Sequence, residues 1–234
     1  MNHWKDLYNK HTNRYERLVQ HEDVAGNLLP ALAAVCELPG ARVVEFGAGT
    51  GRISSQLAPL VGQVWAFDLT PAMVRVARQK RLAGKVVNWQ TAVSDSRHMP
   101  LPNSCADVAI EGWSFVQIAT WHFDNWQAEL DRAIREMMRV VKVGGTAVLI
   151  ETLGTGTLQP NPPEVFVPIY DHFEQNWGFA VTWIRTDYHF PSFETACAIV
   201  EPVFGPDMLE NLIETDAEVA LPECTGIWWR EVER

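Results

Sequence analysis

The segment that most constrains the fold is a short apolar run that is followed by three alternating glycines. Residues 43–52 read Val-Val-Glu-Phe-Gly-Ala-Gly-Thr-Gly-Arg, which places Gly47, Gly49 and Gly51 just after Glu45. β-Branched residues favour a strand, and glycine permits a tight turn and the close approach of a ligand. The residues that follow can continue as a helix, whose first turn has free backbone N–H groups. This strand–turn–helix pattern predicts a polar ligand site at the C-terminal edge of a parallel sheet.

The spacing of the glycines bears on the kind of ligand. Dinucleotide-binding turns have the spacing G-x-G-x-x-G, with pyrophosphate on the helix terminus. This chain has G-x-G-x-G, and the carboxylate of Glu45 beside the turn disfavours phosphate and favours a cation. S-adenosylmethionine carries an ammonium and a sulfonium group and no phosphate. A nicotinamide-dependent oxidoreductase shares the sheet and stays as an alternative, although its glycine spacing is absent.

Composition excludes several classes of protein. The chain has 234 residues, 47% of them hydrophobic, and a formal charge of −10, which argues against a nucleic-acid partner. No apolar run is long enough for a membrane span, and the polar N-terminus does not look like a signal peptide. The four cysteines are scattered and predict free thiols in the reducing cytoplasm, and no metal site is expected. The oligomeric state is left open.

Strand and helix patterns alternate through residue 151, which predicts an α/β fold with a parallel sheet and right-handed crossovers. We expect residues 1–234 to form a single domain. Strands are predicted at 42–46, 63–67, 86–91, 106–111, 146–151, 179–189 and 225–232, and helices at 4–18, 28–38, 53–60, 71–83, 126–140, 169–177 and 193–214.

An acid at the end of the second strand is the next signal. Asp68 lies 17 residues beyond Gly51, where a carboxylate can accept both ribose hydroxyls of a nucleoside. The surrounding sequence, Val-Trp-Ala-Phe-Asp-Leu-Thr-Pro-Ala-Met, and the glycine turn resemble the class I S-adenosylmethionine-dependent methyltransferases. The resemblance is to the small-molecule type related to the ubiquinone/menaquinone-biosynthesis (type 11) group. Further stretches at 94–102, 107–115 and 135–145 resemble family motifs in the same order.

The resemblance implies a Rossmann-like, mostly parallel sheet of seven strands in the order 3-2-1-4-5-7-6, with strand 7 antiparallel and helices on both faces. It also implies that the N-terminal helical segment, residues 1–40, lies over the cofactor site. The expected S-adenosylmethionine contacts come from the N-terminal segment, the glycine turn and the ends of strands two to four: Tyr15, Glu45, Gly47, Ala48, Gly49, Gly51, Asp68, Leu69, Met73, Asp95, Ser96, Glu111 and Gly112.

The acceptor side is less defined by the sequence. Three residues that follow strand four could form an apolar surface with a polar group for the acceptor: Trp113, Trp121 and His122. Glu111 replaces the small or apolar residue common in the family, so it could be a base, an amine-binding carboxylate or a capping group. Residues 152–178 are expected to form an acceptor-side loop or lid. No catalytic residue is assigned, and His98 and His172 are further candidate bases.

The resemblance therefore implies methyl transfer from S-adenosylmethionine to an oxygen, nitrogen or carbon atom of a small molecule by in-line displacement, with S-adenosylhomocysteine as product. The Asn/Asp-Pro-Pro-Tyr/Phe tetrapeptide of many nucleic-acid and protein N-methyltransferases is absent. A non-catalytic protein that binds the donor or a partner is the other alternative, and the intact glycine and acid motifs argue against it.

Overall fold

A mixed sheet of seven strands forms the centre of the molecule. The computed structural model describes residues 3–215 and 218–233. The order of the sheet is β3-β2-β1-β4-β5-β10-β6, and β7-β9-β8 form a second, smaller sheet. The strands are β1 (Arg42–Phe46), β2 (Gln63–Asp68), β3 (Trp89–Val93), β4 (Ala106–Gly112), β5 (Val141–Thr155), β6 (Ala180–Arg185), β7 (Tyr188–Phe190), β8 (Ile213–Glu214), β9 (Val219–Leu221) and β10 (Glu223–Glu231).

The topology confirms the predicted fold class. Strand β10, the seventh strand of the large sheet along the chain, is antiparallel to both of its neighbours, β5 and β6. The pairs from β3 to β5 are all parallel. The carboxyl ends of β1, β2, β3 and β4 therefore lie along one edge of the sheet, which is where the sequence predicts the ligand site.

Helices cover both faces of the sheet. They are α1 (His3–Lys10), α2 (Thr12–Val19), α3 (Leu28–Val35), α4 (Arg52–Leu57), α5 (Pro71–Ala83), α6 (Phe115–Trp121), α7 (Trp126–Val140), α8 (Val167–Asp171) and α9 (Phe193–Phe204). Because strand side chains alternate between faces, Val44 joins the core beneath α6 and α7, whereas Val43 joins the core beneath α3 and α4.

The predicted strand 179–189 is two strands in the structure, β6 and β7, because the chain changes sheets within it. Strand β6 ends at Arg185, whose guanidinium binds Asp187 at 2.8 Å, and the buried hydroxyl of Thr186 hydrogen-bonds to Thr225 at 2.6 Å. The next residues form β7 and pair with β9 in the small sheet. Alternating hydrophobicity continues through such a corner, so it does not reveal that the strand has ended.

Other boundaries also differ from the prediction. The third strand begins at Trp89 rather than residue 86, and β5 begins at Val141, so that Gly144 and Gly145 lie within it. Helix α6 is not predicted at all, and the predicted helical region 193–214 ends in the short strand β8. Among the described residues, no helix has both the length and the apolar character to cross a membrane.

Candidate functional site

The glycine turn between β1 and α4 is held against the end of β2. Gly47, Gly49 and Gly51 all have positive φ (64°, 54° and 81°), which explains why glycine is needed at these positions. The N–H of Ala48 donates to the carbonyl of Phe67 at 2.8 Å. This hydrogen bond joins the turn after β1 to the end of β2.

The carboxylate of Asp68 lies at the centre of this arrangement. Its Oδ2 accepts the N–H of Gly49 at 2.8 Å, and its Oδ1 accepts the N–H of Thr70 at 2.7 Å. Burial raises the pKa of Asp68 above its usual value. A carboxylate has about four acceptor positions. The side chain of Thr70 is a third partner, so the carboxylate keeps capacity for a further donor, such as a ribose hydroxyl.

A second acid, after β3, is held by an arginine. The guanidinium of Arg97 binds Asp95 through Nε and Nη2, at 2.9 Å to Oδ1 and 2.6 Å to Oδ2. Arg97 also contacts Glu129 and His122 at 2.5 and 3.1 Å. Hydrogen bonds from Arg97 lower the pKa of Asp95, which keeps this carboxylate ionised.

These groups line one cleft at the C-terminal edge of the sheet. The structure brings most of the predicted site residues together on its wall: Tyr15, Gly47, Gly49, Asp68, Leu69, Met73, Asp95, Ser96, Gly112, Trp113, Trp121 and His122. Tyr8 and Tyr15 reach the cleft from α1 and α2, with their rings 5.4 Å apart and edge to face. The N-terminal helices thus contribute directly to the cleft wall.

Four predicted residues lie outside this wall. Glu45 is buried and accepts a hydrogen bond from Ser54, and burial raises its pKa to about 8. Ala48 contributes its backbone to the turn, as described above. A Cβ on Gly51 would lie 2.4 Å from the ring of Trp89, so this glycine permits packing of the turn against β3. Glu111 is fully buried behind the cleft.

The carboxyl group of Glu111 has two structural partners. Its Oε1 accepts the N–H of Phe115 and the hydroxyl of Ser114, both at 2.9 Å, at the start of α6. It also lies within hydrogen-bonding distance of Glu151, whose Oε1 accepts the N–H of Val116 at 2.9 Å. Burial raises the pKa of both acids, and the contact requires one of them to hold a proton. Of the three roles considered for Glu111, the structure shows capping.

A larger cavity of about 620 Å³ adjoins the cleft. The two share Tyr8, Tyr15, Trp113 and Gln117, so a ligand in one lies beside a ligand in the other. The second cavity is closed by residues of α1, α2, the end of β5 and the segment after it, including Thr152, Asn161 and Phe166. We call the first space the donor cleft and the second the acceptor cavity.

Several wall residues were not predicted from the sequence. Thr70, Arg97, Ser114, Gln117 and Ile118 line the donor cleft, and Arg52 lines the acceptor cavity. The acid–x–arginine spacing at 95 and 97 could have indicated the ion pair. Ser114, Gln117 and Ile118 lie at the start of α6 or within it, and the sequence did not reveal this helix. Thr70 and Arg52 lie at the starts of the predicted helices α5 and α4, and no sequence signal indicated that they face a cavity. His98 and His172 line neither space, and His172 instead binds Asp131 at 2.8 Å.

Comparisons with known proteins agree with this geometry. Residues 44–149 match the family model described as "Methyltransferase domain". The ubiquinone/menaquinone biosynthesis C-methyltransferase UbiE of Ralstonia pickettii is 32% identical over 123 residues, covering 51% of this chain and 46% of the relative. The malonyl-[acyl-carrier protein] O-methyltransferase of Serratia marcescens is 32% identical over 121 residues, covering 52% and 42%.

Residues 44–149 of the chain are thus similar to the methyltransferase family.

The chain spans less than half the length of either relative. Solved structures show the fold more completely. A SAM-dependent methyltransferase from Aquifex aeolicus superimposes with a TM-score of 0.55 at 17% identity, over 85% of this chain and 89% of that one. The [4+2]-cyclase SpnF superimposes with a TM-score of 0.59 at 16% identity, over 90% and 82%. Because a cyclase shares it, the fold alone does not specify a reaction.

The polar groups of the donor cleft suit the nucleoside part of S-adenosylmethionine. The carboxylate of Asp68 keeps an acceptor position for a hydroxyl donor, and the nearest atom to a Cβ built on Gly49 is 3.7 Å away, on Tyr15. A ligand can therefore approach the backbone of Gly49 closely. The ion pair with Arg97 leaves Asp95 with less capacity to accept from an adenine amino group than an isolated carboxylate would have.

Proposed function

We propose that the protein transfers a methyl group from S-adenosylmethionine, bound in the donor cleft, to a small molecule in the acceptor cavity. The observation that carries this proposal is the carboxylate of Asp68, held by the backbone N–H groups of Gly49 and Thr70 at the edge of the cleft. In this proposal Asp68 binds the ribose of the donor, and a second acid, Asp95, lies near its adenine ring. The Glu45 carboxyl lies buried behind the turn, where it accepts a hydrogen bond from Ser54.

The bound donor would supply an electrophilic methyl group on a positively charged sulfur. The work left to the protein is to hold an acceptor atom in line with that group and to exclude water. Holding two reactants in line can contribute roughly 7–11 kcal/mol. The shared wall of Tyr8, Tyr15, Trp113 and Gln117 is suited to this task because it contacts both spaces.

The proposal also includes the parts that close the site. We assign the helices of residues 1–40 the role of a cover over the donor, and residues 152–178 the role of an acceptor-side lid, within a single domain. The rings of Tyr8 and Tyr15 support the first role, and the place of Asn161 and Phe166 on the cavity wall supports the second. The free thiols of Cys36, Cys105, Cys197 and Cys224 are consistent with a cytoplasmic location.

Calorimetric titration with S-adenosylhomocysteine and with NAD tests the identity of the donor. We expect S-adenosylhomocysteine to bind and NAD not to bind, because the turn lacks the dinucleotide spacing. Binding of NAD in place of S-adenosylhomocysteine would support the oxidoreductase. Release of S-adenosylhomocysteine from S-adenosylmethionine in a screen of acceptors separates an enzyme from a protein that only binds the donor.

A further inference from the structure

This inference rests on the proposed function and concerns the chemical class of the acceptor. We propose that the acceptor is a basic amine on an aromatic or apolar body, bound as a cation among the acidic side chains of the acceptor cavity.

Acidic side chains outnumber basic ones on the cavity wall. Among its described lining residues are four acids, Glu22, Glu151, Glu164 and Glu223, and one base, Arg52. Arg52 forms an ion pair with Glu22, and its guanidinium stacks 3.5 Å above the ring centre of Trp113. The described wall thus offers no unpaired cation to a carboxylate or phosphate, so an anionic acceptor would lack a charged partner there.

Glu223 has a buried carboxyl oxygen that could accept a hydrogen bond from a ligand. It is 1% exposed, its Oε1 accepts the hydroxyl of Thr152 at 2.6 Å, and its Oε2 has no hydrogen-bond partner. Burial and the nearby Glu22 raise its pKa to about 8, so this acid holds its proton near neutral pH until a cation beside it stabilises the ionised form. A buried oxygen without a partner is unfavourable, and an ammonium group beside it would supply both a donor and a positive charge.

The remaining wall is suited to the body of such a molecule. Seven aromatic side chains are among the described residues that line the cavity: Trp4, Tyr8, Tyr15, Trp113, Phe166, Tyr188 and Phe204. Aromatic faces attract organic cations and also bury apolar groups. Acids together with aromatic rings favour an amine over a neutral hydrocarbon acceptor, which would leave the acids without a partner.

Methylation of such an amine needs an acceptor for one proton, and the Glu111–Glu151 pair can provide it. The bound ammonium first gives one proton to the Glu111–Glu151 pair, which carries one negative charge when it shares a single proton. The lone pair of the neutral nitrogen then forms the new N–C bond, and the C–S bond of the donor breaks. The electron pair of that bond stays on sulfur, which becomes the neutral thioether of S-adenosylhomocysteine. Glu151 lines the cavity, so it can receive the proton there.

These acids lie outside the part of the chain that defines the family. The family match ends at residue 149 and begins at residue 44, whereas Glu22, Glu151 and Glu223 fall beyond those limits. The acceptor class is therefore a property of this chain, and the acceptors in its relatives' names do not determine it.

The test compares matched ligands that differ only at one end. The ligands carry a phenyl, indolyl or naphthyl group on a three-carbon chain that ends in an amine, an alcohol or a carboxylate. Each ligand is titrated into the protein that has been saturated with S-adenosylhomocysteine. We expect at least one amine to bind roughly tenfold more tightly than its alcohol and its carboxylate, because it alone gains a charged hydrogen bond. Equal or tighter binding of the alcohols or carboxylates, or no binding of any amine, would overturn the inference.

A substitution locates the effect. Glu223→Gln keeps the shape and the acceptor for Thr152, and we expect it to weaken amine binding roughly tenfold while leaving the affinity for S-adenosylhomocysteine unchanged. Glu210→Gln removes an exposed acid and serves as the matched control, with no expected effect on either ligand. Unchanged amine binding in Glu223→Gln would refute the assignment of this residue. If the unmodified protein does not bind S-adenosylhomocysteine, the proposed function itself is refuted.

Discussion

The backbone N–H of Gly49 donates a hydrogen bond to the carboxylate of Asp68 at 2.8 Å. This contact joins the turn after β1 to the end of β2, and so connects the two sequence motifs that indicate a nucleoside site. A hydrogen bond to a charged acceptor contributes more than one between neutral groups. Asp68 therefore has a structural role as well as its proposed role in ribose binding.

Replacement of this acid should affect both roles. We expect Asp68→Ala to weaken binding of S-adenosylhomocysteine by about a hundredfold and to lower the free energy of unfolding by about 1–3 kcal/mol, since two buried N–H groups lose their acceptor. Calorimetry below the unfolding temperature measures the first effect, and thermal unfolding the second. Asp207→Asn, on the exposed surface, is the control. Unchanged ligand affinity in the alanine variant would remove Asp68 from the site.

Two glycines of the turn should respond differently to substitution. Gly49→Ala places a methyl group 3.7 Å from Tyr15 beside the cleft, so we expect impaired ligand binding and a backbone cost of about 1 kcal/mol. Gly51→Ala places its methyl group 2.4 Å from Trp89, so we expect a loss of stability of about 3 kcal/mol or more. Denaturant unfolding with parallel titrations separates the two, and equal effects on stability would contradict the assignment.

The buried acid Glu223 should make stability depend on pH. Its pKa is about 8 in the folded protein against 4.5 when unfolded, so between these values the folded state holds a proton that the unfolded state has lost. Stability therefore falls as pH rises through this window, by at most about 1.4 kcal/mol per pH unit from this group. Glu223→Gln should reduce that slope in urea unfolding between pH 5 and 8. A slope identical to that of the unmodified protein would show that Glu223 titrates normally.

The ion pair after β3 should be needed for a well-ordered donor cleft. We expect Arg97→Met to free Asp95 and raise the pKa of that acid toward its ordinary value, because the hydrogen bonds that lower it are lost. Loss of this positioning should reduce the affinity for S-adenosylhomocysteine by roughly tenfold. Arg135→Met, at an exposed helix position, is the control. Equal affinities in the two variants would indicate that Asp95 needs no fixed partner.

The sequence predicted the local elements that are encoded by contiguous residues. Strand β1 and helix α7 have the bounds that their apolar periodicity indicates, and the resemblance gave the correct order of the seven strands. The carboxyl-end position of Gly49 and Asp68 followed from parallel strand order alone. Helix α6 was missed because its seven residues are too few to show a clear period.

What the sequence by itself determined, then, is the sheet, the glycine turn and the place of the donor cleft, because each depends on short-range pattern and a fixed topology. The tertiary structure decided which charges meet. Glu111 and Glu151 come together from neighbouring strands, and Glu22 and Glu223 line one cavity although they lie at opposite ends of the chain. Burial and contact set the pKa of such groups and the ligands that they accept, and both properties depend on packing between distant segments.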